Sequence, residues 1–194
     1  MAQARVLADR LIPREGIAWD VARIAAANLL MVLCARVALP LEWTPVPITG
    51  QTFGVMLIGV LLGSRRAAIV LSLYLLEGIA GLPVWQPFGL PGAARLAGPT
   101  AGYLLAYPLA AFVIGWMAER DWACCAPGSL LRTGSALLAG ELVIFAGGWL
   151  WLATVYAQGW AGAFAAGVVP FVAGELLKMA LVVAAVRGIE RARA

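Results

Sequence analysis

Residues 170 to 183, Pro170-Phe171-Val172-Ala173-Gly174-Glu175-Leu176-Leu177-Lys178-Met179-Ala180-Leu181-Val182-Val183, set an acid and a base three residues apart inside the last long apolar segment of the chain. An ionised side chain at the centre of a bilayer helix costs about 2.5–3.5 kcal/mol, so such groups are kept where a partner, water or a ligand offsets the cost. Spacing i, i+3 puts Glu175 and Lys178 on one helix face. Two readings follow: an intrahelical ion pair that staples a helical bundle, or a pair of charged groups held for a ligand.

The remainder of the chain says that the solvent is lipid. Of 194 residues 63% are hydrophobic and 12% charged, and the mean hydropathy of +0.91 lies outside the range of a water-soluble domain. The apolar runs are continuous and do not alternate, which predicts an all-α integral membrane protein rather than a barrel. About six spans of roughly 20 residues fit the length, leaving one transmembrane domain over 1–194. Histidine is absent, which removes Ser-His and Cys-His catalysis and nearly all zinc sites. Cys34, Cys124 and Cys125 show no C-x-x-C spacing. No metal site, catalytic residue or resident cofactor is expected, and an enzyme is not the reading.

Taken in order, residues 1–16 carry Arg5, Arg10 and Arg14 and read as a basic tail on the membrane surface, followed by a first span from about Ile17 to Leu41. A polar loop, about 42–52, leads into a short second span ending near Gly63 and Ser64, where Arg65 and Arg66 mark a turn. The third span runs from about Ala67 to Ile79. A Gly- and Pro-rich stretch, 81–98, holds Trp85, Gln86, Phe88 and Arg95 and reads as non-helical. Span four covers about Pro99 to Met117 and span five ends near Tyr156. An uncharged connection, 157–169, then precedes a last helix expected to begin at Pro170, whose missing N–H costs nothing in a first turn.

The basic residues orient this threading. Arg5, Arg10, Arg14, Arg65, Arg66, Arg120, Arg132, Arg187, Arg191 and Arg193 fall in segments of one side, and only Arg36 and Arg95 in the other. By the positive-inside rule both termini are cytoplasmic, and the net charge of +4 reports topology rather than nucleic-acid binding. The loops 42–52 and 81–98 then share the outer side with Glu175. There Arg95, Glu175 and Lys178 would form a pocket of two cations and one carboxylate, suited to a small acid. Trp43, Trp85, Phe88 and Tyr103 supply apolar walls or, alternatively, interfacial anchors. Glu77 and Glu141 lie in or near spans three and five, where each needs a partner or water. Small-residue pairs at spacing four, Ala22 and Ala26, Gly59 and Gly63, Ala106 and Ala110, Ala180 and Ala184, allow close helix approach or docking of a membrane partner. The only lysine is Lys178 and no P-loop motif is present, so ATP hydrolysis would belong to another subunit.

Four ordered segments carry a family resemblance: Pro45-Val46-Pro47-Ile48-Thr49-Gly50-Gln51-Thr52, Gly81-Leu82-Pro83-Val84, Gly98-Pro99-Thr100-Ala101-Gly102-Tyr103 and Gly174-Glu175-Leu176-Leu177-Lys178. With these the sequence resembles the BioY family, the biotin-specific substrate-binding (S) components of energy-coupling-factor (ECF) transporters. It departs from the family pattern at Glu175 (Asp expected), at Ala101 (Gly expected) and in the second loop, which is less Gly-rich. The resemblance implies an S-component bundle of six helices in the bacterial cytoplasmic membrane. It implies biotin capture from outside and, as partners, a membrane coupling subunit with two ATP-binding-cassette ATPases. Carried over, Lys178, Glu175 and Arg95 lie in the biotin pocket, with Gln51, Trp85 and Tyr103 beside them. The rival reading is a self-sufficient proton-coupled carrier of a small carboxylic acid, with Glu77, Glu141 and Glu175 as proton sites.

Overall fold

The computed structural model describes residues 6–11, 16–124, 130–156 and 159–192. Arg5, Arg14, Cys125 and Arg193, named above, lie outside the described residues, as do the side chains of Arg10 and Cys124. The chain is helical apart from one short ribbon: α1 (Leu7–Leu11), α2 (Ile17–Arg36), β1 (Ala38–Leu39), β2 (Ile48–Thr49), α3 (Gln51–Ile79), a 3-10 helix (Gly92–Ala97), α4 (Ala101–Cys124), α5 (Leu130–Thr154), α6 (Gly159–Gly167) and α7 (Val172–Arg191). Four helices are long and apolar enough to cross a membrane, or five if the bent pair α6–α7 makes one span.

α3 is two helical halves on either side of Gly63, whose φ of 77° and ψ of 179° leave the helical region. Gln51 Nε2 donates to the Tyr74 hydroxyl at 2.7 Å. In a straight helix 23 residues would separate these groups by about 35 Å. The chain therefore folds back on itself at Gly63, where Arg65 and Arg66 predict a turn. The turn is held from α4: Glu119 accepts the Ser64 amide at 2.7 Å and the Ser64 hydroxyl at 2.9 Å on its other oxygen. A Cβ on Gly63 would collide with that carboxylate. Arg66 also reaches Asp9 of α1 (2.8 Å) and Asp20 of α2 (2.8 Å), and Arg23 joins the same two acids. α1 thus does more than lie on a surface, since Leu7 is buried with Val60, Ile114, Val182 and Val186 at this end of the bundle.

The centre is built by α3, α4 and α5, with Tyr74 fully buried and Tyr107 nearly so in the core cluster. Close approach of α4 and α5 depends on small residues. A Cβ on Gly147 would stand 2.8 Å from the Ala106 Cβ, and one on Gly102 would run into the Gly147 carbonyl and Trp151. Backbone cannot yield as a side chain does, so Gly102→Val should cost at least the ~1–3 kcal/mol typical of overpacking. Loss of monodisperse protein on size exclusion is the expected readout. Gly134→Ala, with nothing within 4 Å of the new Cβ, should leave the thermal midpoint unchanged or higher.

α2 is peripheral. It presents Ile17, Val21, Leu29 and Leu33 outward, as well as Ala22 and Ala26, and buries Asn28, Met31 and Ala35. Asn28 Nδ2 donates to Glu77 Oε1 at 2.9 Å, which supplies the partner that Glu77 requires.

Several boundaries differ from the sequence reading. The first span stops at Arg36, not Leu41, because the chain enters the ribbon that pairs Ala38 with Thr49 and Leu39 with Ile48. The 81–98 stretch contains the 3-10 helix, and 159–167 forms α6 rather than a loop. Pro170 consequently sits in the turn between α6 and α7, whose axes bend by 46°, and α7 begins at Val172. Glu175 thereby falls in the first turn of α7, about 5 Å along the axis rather than the roughly 8 Å that a start at Pro170 would give.

Candidate functional site

At the end of the bundle remote from Gly63, the segment β2–α3 runs across the start of α7. The Thr49 hydroxyl accepts the Gln51 amide at 3.3 Å and so helps start α3 at Gln51, inside the stretch read as a loop. This places Thr52 against α7, where its hydroxyl donates to Glu175 Oε2 at 2.7 Å. Lys178 Nζ donates to Glu175 Oε1 at 2.7 Å, to the Thr49 carbonyl at 2.6 Å and to Thr52 Oγ1 at 2.9 Å. Its three protons are all used. Both side chains are largely shielded, at 15% exposure for Lys178 and 7% for Glu175. The i, i+3 pair predicted from spacing is therefore formed, and it is cross-linked to another element.

Beside this cluster lies a cavity walled by both polar and apolar side chains. Gln51, Thr52 and Glu175 line one part of it, Tyr107 and Glu141 another, and Trp85 and Tyr103 add aromatic wall. Lys178 does not line it; the ammonium stands behind Glu175. Trp85 packs against Gly78, where a Cβ would overlap the indole, and the Tyr103 hydroxyl donates to the Gly167 carbonyl of α6 at 2.7 Å. A second, outer cavity shares Pro47, Gln86, Arg95 and Thr100 with the first and adds Phe88 and Tyr156. These four residues form the neck between vestibule and chamber. Trp43, by contrast, is 73% exposed and lines neither.

Arg95 is buried in that neck. Nε donates to the Leu90 carbonyl at 2.9 Å, Nη2 to that of Gln86 at 2.9 Å, and Nη1 to that of Phe88. The guanidinium thereby clamps the second loop, with Cζ 5.8 Å from the Trp85 ring centroid. Burial lowers its pKa from the ordinary value, which in arginine still leaves the group charged. Of five N–H donors three hold the loop, which leaves one on each of Nη1 and Nη2 of a residue that borders both cavities.

The residues singled out from sequence, Lys178, Glu175, Arg95, Gln51, Trp85 and Tyr103, thus gather at one end of the bundle, all but Lys178 on the chamber wall. The sequence reading assigned no role to Thr49, Thr52, Tyr74 or Tyr107. Thr52 had a usable signal in its place beside Gln51, whereas Tyr107 sits in a uniformly apolar run.

A family model described as the BioY family matches residues 5–194. The chain belongs to the BioY family. It is 39% identical over 166 residues to the biotin transporter BioY of Rhizobium etli, covering 84% of this chain and 86% of that protein. The BioY biotin transporter of Thermotoga maritima is also 39% identical, over 160 residues, covering 80% and 85%. Among solved structures, the S-component for biotin from an ECF-type ABC transporter superposes with a TM-score of 0.79 at 25% identity, covering 92% of this chain and 95% of that one.

Proposed function

We propose that this BioY protein captures biotin at its vestibule and carries it across the bacterial cytoplasmic membrane as the S component of an ECF-type transporter. The observation that carries the reading is the charge asymmetry of the chamber. Its neck holds a buried guanidinium with two uncommitted donors, and its depth holds the Glu175 carboxylate. Biotin has the complementary polarity, an anionic tail on an apolar bicycle with a ureido head. The tail pairs with Arg95, a fork matched to a carboxylate, and the ureido N–H groups turn toward Glu175. Lys178 acts through Glu175, holding its carboxylate in place.

The same reading counts α3 as two spans and α6–α7 as one, which with α2, α4 and α5 gives six, and puts the arginine-rich Gly63 end and both termini in the cytoplasm. A membrane coupling subunit with two ATPases supplies the energy, and no resident cofactor is needed. Exposed Ala22 and Ala26 on α2 give that subunit a surface for close approach. The proton-coupled alternative finds less support, because two of its three sites are engaged, Glu77 by Asn28 and Glu175 by Lys178 and Thr52, which leaves it Glu141 alone.

Uptake of labelled biotin into proteoliposomes separates the two. Under the S-component reading the protein alone shows no uptake driven by an imposed pH gradient, and gains ATP-dependent uptake on addition of the coupling subunit and ATPases. Gradient-driven uptake by the protein alone would overturn it.

A further inference from the structure

Glu141 has no part in the assembly just described. It sits on α5, is 3% exposed and lines the chamber, yet neither carboxyl oxygen has a hydrogen-bond partner among the described residues. A buried polar group without a partner is costly, and natural folds keep very few of them. Glu77 and Glu175 show what this chain does with intramembrane acids elsewhere, since each accepts a hydrogen bond from another element. Glu141 departs from that pattern with both of its oxygens, and it does so on the wall of the chamber. Its neighbours on the same wall, Ile144 and Tyr107, offer apolar or aromatic surface beside it.

We propose that Glu141 is a further substrate-binding residue, whose carboxyl oxygen accepts an N–H of the neutral cyclic head of the ligand and selects for it. The proposal rests on the biotin reading above. It makes Glu141 and Glu175, from α5 and α7, two acceptors for the two N–H groups of one ureido ring, while Arg95 holds the tail. A ligand carrying an acid at the deep end, or lacking the N–H donors, is rejected there.

The test is calorimetric titration of the purified full-length protein in nanodiscs, using biotin and biotin methylated at both ureido nitrogens, together with the ligand-free thermal midpoint. In Glu141→Leu, biotin affinity is expected to fall roughly fivefold to a hundredfold, the cost of leaving one buried N–H donor of the ligand unsatisfied. The preference for biotin over the dimethyl analogue should shrink by a similar factor, while the ligand-free midpoint stays or rises because an unsatisfied group has gone. A merely structural Glu141 moves these readouts otherwise: the midpoint falls and the preference between ligands persists, which overturns the proposal. So does unchanged biotin affinity, which leaves the biotin reading standing. Should the leucine variant not fold, Glu141→Met decides: it keeps the length of the side chain but carries no comparable acceptor, and biotin affinity equal to wild type overturns the proposal. Failure of the wild type itself to bind biotin sinks the underlying reading and this inference with it.

Discussion

Lys178→Ala is expected to abolish measurable biotin binding and to lower the stability of the ligand-free protein by about 3–5 kcal/mol, the usual cost of removing one partner of a buried ion pair. The variant leaves Glu175 without its cation and strips a donor from both the Thr49 carbonyl and Thr52. Stability loss alone does not separate a staple from a binding site. The double variant Glu175→Leu with Lys178→Leu does, because exchanging both members of a buried pair for apolar residues is often neutral or stabilising. A double variant that regains the wild-type thermal midpoint but fails to bind biotin supports a ligand role for the carboxylate. One that regains both shows that the pair only holds α7 to α3.

The second large effect is at Arg95. Arg95→Ala should weaken biotin binding by roughly a hundredfold or more, through loss of the fork for the ligand carboxylate and of three bonds to loop carbonyls, each charge-assisted and worth about 1.5–3 kcal/mol. The sharper version is Arg95→Lys. Lysine keeps the charge but offers donors from a single point, so it cannot span Gln86, Phe88 and Leu90 while also meeting a carboxylate. The lysine variant should therefore bind little better than the alanine variant, and biotin amide should lose far less affinity than biotin does on either change. Wild-type affinity in Arg95→Lys would reduce Arg95 to a bystander charge. Titration of both ligands against the three proteins checks this.

These two residues mark how far the sequence was legible. Spacing alone placed Glu175 and Lys178 on one face, and that contact is local. The direction of the ammonium, toward Thr49 and Thr52 and away from the chamber, depends on residues more than 120 positions away. Arg95 read as a pocket cation, but its clamp on the second loop was not legible, because nothing in its neighbourhood announces that carbonyls at 86, 88 and 90 would converge on it. The turn at Gly63 was visible, since two arginines interrupt an apolar run; its lock was not, because Glu119 lies 55 residues from Ser64. Glu77 likewise finds Asn28 across 49 residues. α6 escaped for a different reason. Gly159-Trp160-Ala161-Gly162-Ala163-Phe164-Ala165-Ala166-Gly167 is small, apolar and uncharged, without the polar contrast that periodicity needs. Local chemistry was readable, and long-range pairing was not.

The measurement that bears most directly on the central claim is calorimetric titration of the folded wild-type protein with biotin. The account predicts saturable one-to-one binding, markedly weakened when the ligand's carboxylate is amidated. A folded protein that gives no binding heat, or that binds biotin and its amide equally, would contradict it.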